Sequence, residues 1–398
     1  MKILVVCQHY YPEDFRVTEI CEELVRRGHE VTALVGLPNY PSGHVPGEYR
    51  FFRRRRETIN GVIVRRCFEI GRRNTKPGLA VNYLSYMISA CWKAIWLDRD
   101  YDVIYAYSTS PVLMSAPAAL LRRLTRIPMI IYVLDIWPAC LAAMNVPPQS
   151  ALYRVMKRVS RRIYARADCL IYSSSRFRGY LKNTHGLAVP EDHYLPQFAD
   201  DMFEQALPMP EHEGVTLCFA GNIGKAQGVS TLLRAAALLR EEPVRWAFLG
   251  DGSDYENCLS LVRELHLQDC VAFYGRKPVS EMPAWYAQAD AMLVSMTDDP
   301  LVSQTLPGKV QSYLACGRPI LGSIAGEAAD VIAAAHCGYC ASPGDAPAFA
   351  DAVRRFLNTP DRVALAQNAR AYYEARFTKQ KHMDRLEKLL AELKERHA

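Results

Sequence analysis

Two doubly wound α/β domains are what this sequence predicts, on three observations. Short, continuous apolar strands alternate with helical segments along nearly the whole chain, the pattern of a parallel sheet covered on both faces. The alternation breaks near residue 200 in polar, proline-rich chain and then begins again. A length of 398 residues, half of them apolar, also exceeds what a single core usually supports.

The first set opens with the strand Ile3-Leu4-Val5-Val6. A helix follows with Val17, Ile20, Cys21 and Leu24 at three-to-four spacing; Arg26-Arg27-Gly28-His29 closes it before the strand Val31-Thr32-Ala33-Leu34-Val35, completing a β-α-β unit. The alternation continues with a strand at Val62-Ile63-Val64, an apolar helix from about Leu79 to Leu97 and a strand from Val103 to Tyr107. A helix from about Val112 to Leu124, a strand from Met129 to Leu134, a basic helix from about Ala151 to Ala165 and a strand from Cys169 to Tyr172 complete it. Leu195-Pro196 and Leu207-Pro208-Met209-Pro210 read as linker. The second set has strands from Val215 to Ala220, Trp246 to Leu249, Val271 to Tyr274, Ala291 to Val294 and Pro319 to Leu321. A last helix, from about Lys379 to Glu395, is amphipathic through Leu386, Leu389, Leu390 and Leu393. The expected organisation is an N-terminal domain over 1–200, a second over 201–374, and a closing helix over 375–398 that packs back toward the first. Sheets of this kind bind ligands beyond the carboxyl ends of their strands, here in a cleft between the domains.

Charge is unevenly shared: residues 1–200 carry a net of +11 and residues 201–398 a net of −5. The N-terminal half alone is therefore expected to meet a polyanion: a membrane surface, a lipid diphosphate or nucleic acid. Its arginines lack interleaved aromatics or a recognition helix, so nucleic acid is not an expected partner. No apolar run reaches the roughly 18 to 20 residues that span a bilayer, and the first seven residues read as a buried strand without a signal-peptide cleavage site, so a cytoplasmic location is expected. The twelve cysteines lie scattered in apolar stretches and read as small core hydrophobes of a reducing compartment. Cys337-Gly338-Tyr339-Cys340 has the spacing of half a zinc site, but no second pair follows and no metal is expected there.

Two constellations carry chemistry. In Gly221-Asn222-Ile223-Gly224-Lys225-Ala226-Gln227-Gly228 a strand runs into a glycine-rich turn and then a helix. Glycines let the backbone approach an anion, and the helix N-terminus supplies free N–H groups; a plain strand-helix turn is the competing reading. In Gln304-Thr305-Leu306-Pro307-Gly308-Lys309-Val310-Gln311-Ser312, Pro307 suits the first turn of a helix and Lys309 adds a cation at its positive end. Both follow strands of one domain, so together they could hold one diphosphate between two helix N-termini.

At this point the chain resembles the retaining glycosyltransferases of family 4, of the GT-B fold. The likeness rests on Ala220-Gly221-Asn222, Ala289-Asp290-Ala291 and Gly317-Arg318-Pro319-Ile320 after Tyr313-Leu314-Ala315, and covers nearly the whole chain. Tyr11-Pro12-Glu13-Asp14-Phe15-Arg16, Pro38-Asn39-Tyr40-Pro41-Ser42-Gly43, Asp135-Ile136-Trp137-Pro138 and Pro307-Gly308-Lys309 more narrowly resemble its WbuB-type branch, N-acetyl-L-fucosamine transferases of surface polysaccharide assembly. The family usually places two glutamates eight residues apart, near the donor sugar and on the ribose, where this chain has Gln304 and Ser312. It also often has an Arg and a Lys where this chain has Asn222 and Gln227, which moves the expected diphosphate charge onto Lys225 and Lys309.

The resemblance implies a UDP-sugar donor, a polyprenyl-diphosphate-linked sugar acceptor, and no metal or other cofactor. It implies Lys225, Lys309, Arg16 and Asp135 as the catalytic set. Donor-side residues are Gly221, Asn222, Gly224, Gln227, Gly250, Arg276, Gln304, Pro307, Gly308, Ser312 and Glu327; acceptor-side residues are Glu13, Phe15, Tyr40 and Trp137. A helix cap for Glu13 and Asp14, and a structural ion pair for Asp135, are the competing readings. Asp98-Arg99-Asp100 has the Asp-x-Asp form of metal-dependent glycosyltransferases but reads as a solvated helix exit. Arg53 to Arg56, the basic face Arg154, Lys157, Arg158, Arg161 and Arg162, and the helix with Tyr83, Tyr86, Trp92, Lys93 and Trp96 are expected to meet the inner face of the cytoplasmic membrane, unless they are merely a solvated face and a buried Trp pair. Two other functions fit less well: a GT-B-like nucleotide-sugar 2-epimerase, which calls for several carboxylates in the donor cleft, and a non-catalytic nucleotide-sugar scaffold.

Overall fold

The structure is a computed structural model that describes residues 1–73, 75–144, 146–299 and 302–397. It divides into two compact units, Met1–Leu195 with Met383–Ala398, and Pro196–His382. The expected boundaries at 200/201 and 374/375 thus move to 195/196 and 382/383. Residues 196–214 pack on the second unit: the buried Arg318 donates to the Pro208 carbonyl, and Leu207 N–H to the Cys316 carbonyl.

The first unit opens with β1 (Lys2–Val6), α1 (Val17–Arg26) and β2 (Glu30–Val35). Helix α1 buries Val17, Ile20, Cys21 and Leu24, the three aliphatic side chains each worth roughly 1.5–3 kcal/mol if fully removed from water. It stops at Gly28, whose φ of +87° turns the chain so that Gly28 and His29 N–H reach the Val25 and Leu24 carbonyls. There follow β3 (Arg56–Ile59), β4 (Val62–Arg66), α2 (Lys76–Ile95), β5 (Val103–Ser108), α3 (Ala116–Thr125), β6 (Met129–Val133), α4 (Ala151–Tyr164), β7 (Cys169–Tyr172) and α5 (Ser175–His185). The sheet order is β3-β4-β2-β1-β5-β6-β7, parallel except for β3. Strand β3 starts inside the arginine run and was not expected. From Met383 on, this unit gains the pairs Arg27–Asp384, Arg27–Glu387 and Lys394–Asp102.

The second unit runs β8 (Val215–Ala220), α6 (Val229–Leu238), β9 (Val244–Leu249), α7 (Tyr255–Glu264), β10 (Val271–Phe273), α8 (Met282–Ala287), β11 (Ala291–Ser295), α9 (Gly308–Ala315), β12 (Ile320–Ser323), α10 (Glu327–Ala334), β13 (Gly338–Ala341), α11 (Ala346–Leu357) and α12 (Arg362–Arg376), before α13 (Lys379–Glu395). Its order, β10-β9-β8-β11-β12-β13, is all parallel and reverses direction of winding between β8 and β11. A reversal of this kind leaves a crevice at the carboxyl ends of the two strands, because their crossovers lie on opposite faces. Phe219, Leu293, Leu232 and Phe349 fill one face of this sheet, and Met292, Val310, Tyr313 and Ile320 fill the other. Strand β13 takes up Cys340 and begins just after Cys337; Cys337 is buried, and its thiol, pushed up to about 12 by burial, donates to the Ile332 carbonyl.

Candidate functional site

In the second unit the donor-side residues expected from the sequence follow the carboxyl ends of successive strands: Gly221, Asn222, Gly224, Lys225 and Gln227 after β8, Gly250 after β9, Arg276 after β10, Gln304 to Lys309 after β11 and Glu327 after β12. The loop 221–228 straddles the winding reversal. Gly221 and Ile223 N–H donate to the Leu249 and Asp251 carbonyls on one side, and Thr297 N–H and the Ser295 hydroxyl donate to the Ala226 and Gly228 carbonyls on the other. Gln227 Oε1 accepts from Gly224 N–H at 3.2 Å and from Asn222 Nδ2 at 3.3 Å. The side-chain carbonyl of Gln227 therefore shapes the loop, and Lys225 stands exposed on the short turn it closes.

Lys309 occupies the first turn of α9, with Pro307 as the preceding cap residue rather than the first helical residue. Its stem is half-buried, but its ammonium is covered, lies 4.1 Å from the Phe219 ring centre, and has no hydrogen-bond partner among the described residues. Burial pulls this group down to about 8 from the usual lysine range. Gly221 admits it: a Cβ there would stand 2.9 Å from Lys309 Nζ, and φ is +138°. A covered cation without a partner is costly, and a bound anion relieves that cost.

Gly250 is more constrained. A Cβ there would come within 1.8 Å of the Gly221 carbonyl oxygen, and its φ is +133°. Gly250→Ala is expected to destabilise the second unit by about 3 kcal/mol or more, because backbone rather than a flexible side chain must yield. Urea denaturation checks this; an unchanged midpoint refutes it.

Ser312 is buried and its hydroxyl donates to the Gly308 carbonyl at 3.5 Å, and Gln304 is half-buried in the turn Val302–Gln304. That turn abuts α10, because Gly326 leaves room for the Ser303 carbonyl, 1.8 Å from where its Cβ would be. Glu327 is buried at the start of α10, and Arg276 is exposed.

In the first unit the loops after β1, β2 and β4 build a second cluster. Glu13 is buried: its Oε1 accepts from Asn39 and Tyr40 N–H, both at 2.6 Å, and its Oε2 meets His9 Nδ1 at 2.8 Å. It neither caps α1, which begins after Arg16 with no side-chain cap, nor presents a free carboxylate to an acceptor. The reason is local: the N–H groups of 39 and 40 lie beyond the ladder of β2 and need acceptors. His9, absent from the sequence reading, stacks on Phe15 at 4.6 Å and meets Tyr40 edge-on at 5.7 Å. A carboxylate at Nδ1 fixes the neutral ring's proton there and leaves Nε2 as an acceptor. The signal available in the sequence was a histidine just past a buried strand, four residues before a carboxylate.

Behind this cluster Glu69 is buried, and its Oε1 accepts from Gln8, Asn39 and Asn82 at 2.7, 3.0 and 2.7 Å. Burial pushes its carboxyl up to about 7 against those donors. It also was not expected, and it locks α2 to the ends of β1 and β2.

The other expected residues of this unit fare differently. Asp135, at the end of β6, is raised by burial and held down by hydrogen bonds from Ser110, with no ion pair among the described residues. Trp137, expected to touch an acceptor, is buried: its indole N–H donates to Ser110 Oγ and its carbonyl accepts from His185. Arg16 lies 4.0 Å from Glu19. Asp98, Asp100 and Asp102 pair with Arg65, Lys2 and Lys394. Among the described residues no three His, Cys, Asp or Glu side chains gather in a metal-binding group.

Tyr86, expected at a membrane face, is fully buried, whereas Val81, Leu84, Ile88, Trp92, Ile95 and Trp96 form an exposed apolar stripe along α2. Arg154, Lys157, Arg158, Arg161 and Arg162 are all exposed on α4. No helix among the described residues is long and apolar enough to cross a membrane.

Comparison with known proteins adds to this geometry. Residues 15–196 match the family model described as glycosyl transferase 4-like domain, and residues 214–359 the one described as glycosyl transferases group 1. The chain is 25% identical over 313 residues to a probable glycosyltransferase, WbjE, of Pseudomonas aeruginosa, covering 73% of this chain and 76% of that one. It is 22% identical over 336 residues to WcaI of Escherichia coli, a putative colanic acid biosynthesis glycosyl transferase, covering 80% and 82%. Among solved structures, Anabaena HepE in complex with UDP superimposes with a TM-score of 0.70 at 17% identity, covering 98% of this chain and all of that one.

Proposed function

We propose that this chain, a glycosyltransferase built on the GT-B fold, is a retaining enzyme that moves a sugar from a UDP-sugar to a polyprenyl-diphosphate-linked sugar. The work belongs to bacterial surface polysaccharide assembly at the inner face of the cytoplasmic membrane. The observation that carries this reading is the covered, unpartnered ammonium of Lys309 beside the glycine loop at the winding reversal of the second unit. Breaking the anomeric C–O bond leaves negative charge on a nucleoside diphosphate, and a fixed cation with nearby helix N-termini stabilises that charge as it develops. Lys225, exposed on the same loop, supplies a second cation.

Retention follows from front-face attack. The acceptor hydroxyl bonds to the anomeric carbon on the side the phosphate leaves, and its proton passes to the departing phosphate oxygen. His9, held by Glu13, accepts a hydrogen bond from an acceptor hydroxyl at Nε2. No metal is required in this scheme. The uncharged Gln304 and Ser312, where relatives of the resembling family carry glutamates, suit a donor sugar with fewer hydroxyls, such as an N-acetylated deoxy sugar. UDP in HepE and colanic acid in the name of WcaI support the donor and the pathway class. The exposed apolar stripe of α2 and the cations of α4 support a lipid acceptor.

Turnover of a panel of UDP- and GDP-sugars with polyprenyl-diphosphate GlcNAc tests the reading; no product from any donor sinks it. A pH experiment tests its electrostatic core. The free enzyme loses the Lys309 proton above about 8, and the diphosphate favours the protonated form. UDP affinity measured by calorimetry should therefore fall by roughly tenfold per pH unit above that point, with proton uptake on binding. A flat profile to pH 9.5 contradicts it.

A further inference from the structure

We infer that the first unit contains a built site for the lipid diphosphate of the acceptor, formed by an apolar trough lined in part by residues 66–68 and a cationic pocket lined in part by residues 70–73. The inference rests on the acceptor reading above and adds to it the residues that grip the lipid.

The trough, about 520 Å³, is lined by Phe52, Phe68, Ile88 and Trp92, with Arg55 and Lys93 at its edge. Those two cations are tied to backbone: Lys93 donates to the Arg66 carbonyl at 2.8 Å and Arg55 to the Cys67 carbonyl at 3.2 Å. Ile88 and Trp92 belong to the exposed stripe of α2, which continues to Trp96, 73% exposed. The trough thus adjoins an exposed apolar surface on the α2 side, from which a hydrocarbon chain can enter, while Arg55 and Lys93 also line it.

The pocket, about 500 Å³, has Ser42, Gly43 and His44 on one wall and Gly71, Arg72 and Arg73 on the other. Two glycines bring the walls together: a Cβ on Gly43 would stand 2.2 Å from the Arg72 carbonyl oxygen, and one on Gly71 2.4 Å from the Gly43 carbonyl oxygen. The Arg72 guanidinium carbon lies 5.4 Å from the Tyr40 ring centre, a cation–π contact that leaves its N–H groups without a carboxylate partner among the described residues. Neither Arg72 nor Arg73 pairs with a carboxylate among the described residues, unlike Arg27, Arg65 and Arg66. Two unpaired guanidinium groups suit a group with several anionic oxygens, because each can make two parallel hydrogen bonds. Phe68 and Arg72 are four residues apart, at most about 14 Å along extended chain, a separation that one molecule with an apolar tail and a diphosphate head can bridge.

The test uses the full chain and neutral phosphatidylcholine vesicles doped with farnesyl diphosphate, with farnesol, or with phosphatidylglycerol. Wild type should bind the diphosphate vesicles at least roughly tenfold more tightly than the farnesol vesicles, and more tightly than the phosphatidylglycerol ones. The Arg72→Gln/Arg73→Gln variant, with an unchanged thermal midpoint, should lose that preference, and Trp92→Glu should weaken binding to both prenyl vesicles. If the arginine variant keeps the wild-type preference, or only its unfolding removes it, the site is wrong while the acceptor reading stands. If wild type shows no preference for the diphosphate, the acceptor reading falls with the site. Equal binding to phosphatidylglycerol marks a general anionic surface and overturns the proposal.

Discussion

Lys309→Met is expected to lower kcat by roughly two orders of magnitude while making the protein more stable. The two effects have one cause. In the free protein the ammonium sits covered over Phe219 with no hydrogen-bond partner among the described residues, and burial draws it down to about 8 from 10.5. Carrying the proton at pH 7 therefore costs the folded state about 3 kcal/mol relative to a solvated lysine. Methionine has similar length, fills the same space and removes that cost. It also removes the charge proposed to meet the leaving diphosphate, and on that proposal the loss appears in the transition state more than in the ground state. Lys225→Ala, on the exposed turn of the 221–228 loop, should reduce turnover by more than roughly tenfold with little change in stability. Turnover and calorimetric midpoint, measured together, check the prediction. A variant that loses both activity and stability marks Lys309 as a packing residue, and wild-type kcat in both variants removes the diphosphate clamp.

Glu13 separates in the same manner under two substitutions. In Glu13→Gln the amide carbonyl can still accept from Asn39 and Tyr40 N–H, so the loop after β2 keeps its anchor. The amide nitrogen, however, now presents N–H to His9 Nδ1, which must accept; the ring proton moves to Nε2, and on the proposed scheme the acceptor hydroxyl that His9 orients, distinct from the attacking one, loses its partner. The expected result is a fall in kcat of roughly a hundredfold from the lost orientation of the acceptor at nearly unchanged stability, with the inverted tautomer visible in the nitrogen chemical shifts of His9. Glu13→Ala instead leaves two buried backbone donors unpaired and should cost about 2–4 kcal/mol. If Glu13→Gln turns over like wild type, His9 does not touch the acceptor.

Much of this was legible before any coordinates. The alternation of buried strands and helices sufficed for two doubly wound sheets, because a strand covered on both faces must be apolar along its length. Glycine-rich chain after β8 and the Pro307-Gly308-Lys309 start of α9 were readable because a close backbone approach and a helix start each demand particular residues. Strands β3 and β13 escaped notice because both have only four residues, one beginning among arginines and the other, Gly338–Ala341, following directly on Cys337. Tyr86 was expected at a membrane face by its chemistry and Trp137 at the acceptor by resemblance, yet both are buried with their polar atoms bonded to Cys7 and Ser110.

By itself, then, the sequence determined which residues follow each strand, and hence which side chains stand at the carboxyl ends of the two sheets. Only the tertiary structure decided what each of them does there. Whether a carboxylate such as Glu13 is a free ligand or a support depends on the backbone N–H groups that a loop 26 residues away brings to it. Whether a cation such as Lys309 is solvated or held bare depends on Phe219 and Gly221, which pack against it from β8. Periodicity encodes burial along one element, but the partner of a polar group comes from a distant one, and that partner fixes its charge and its work.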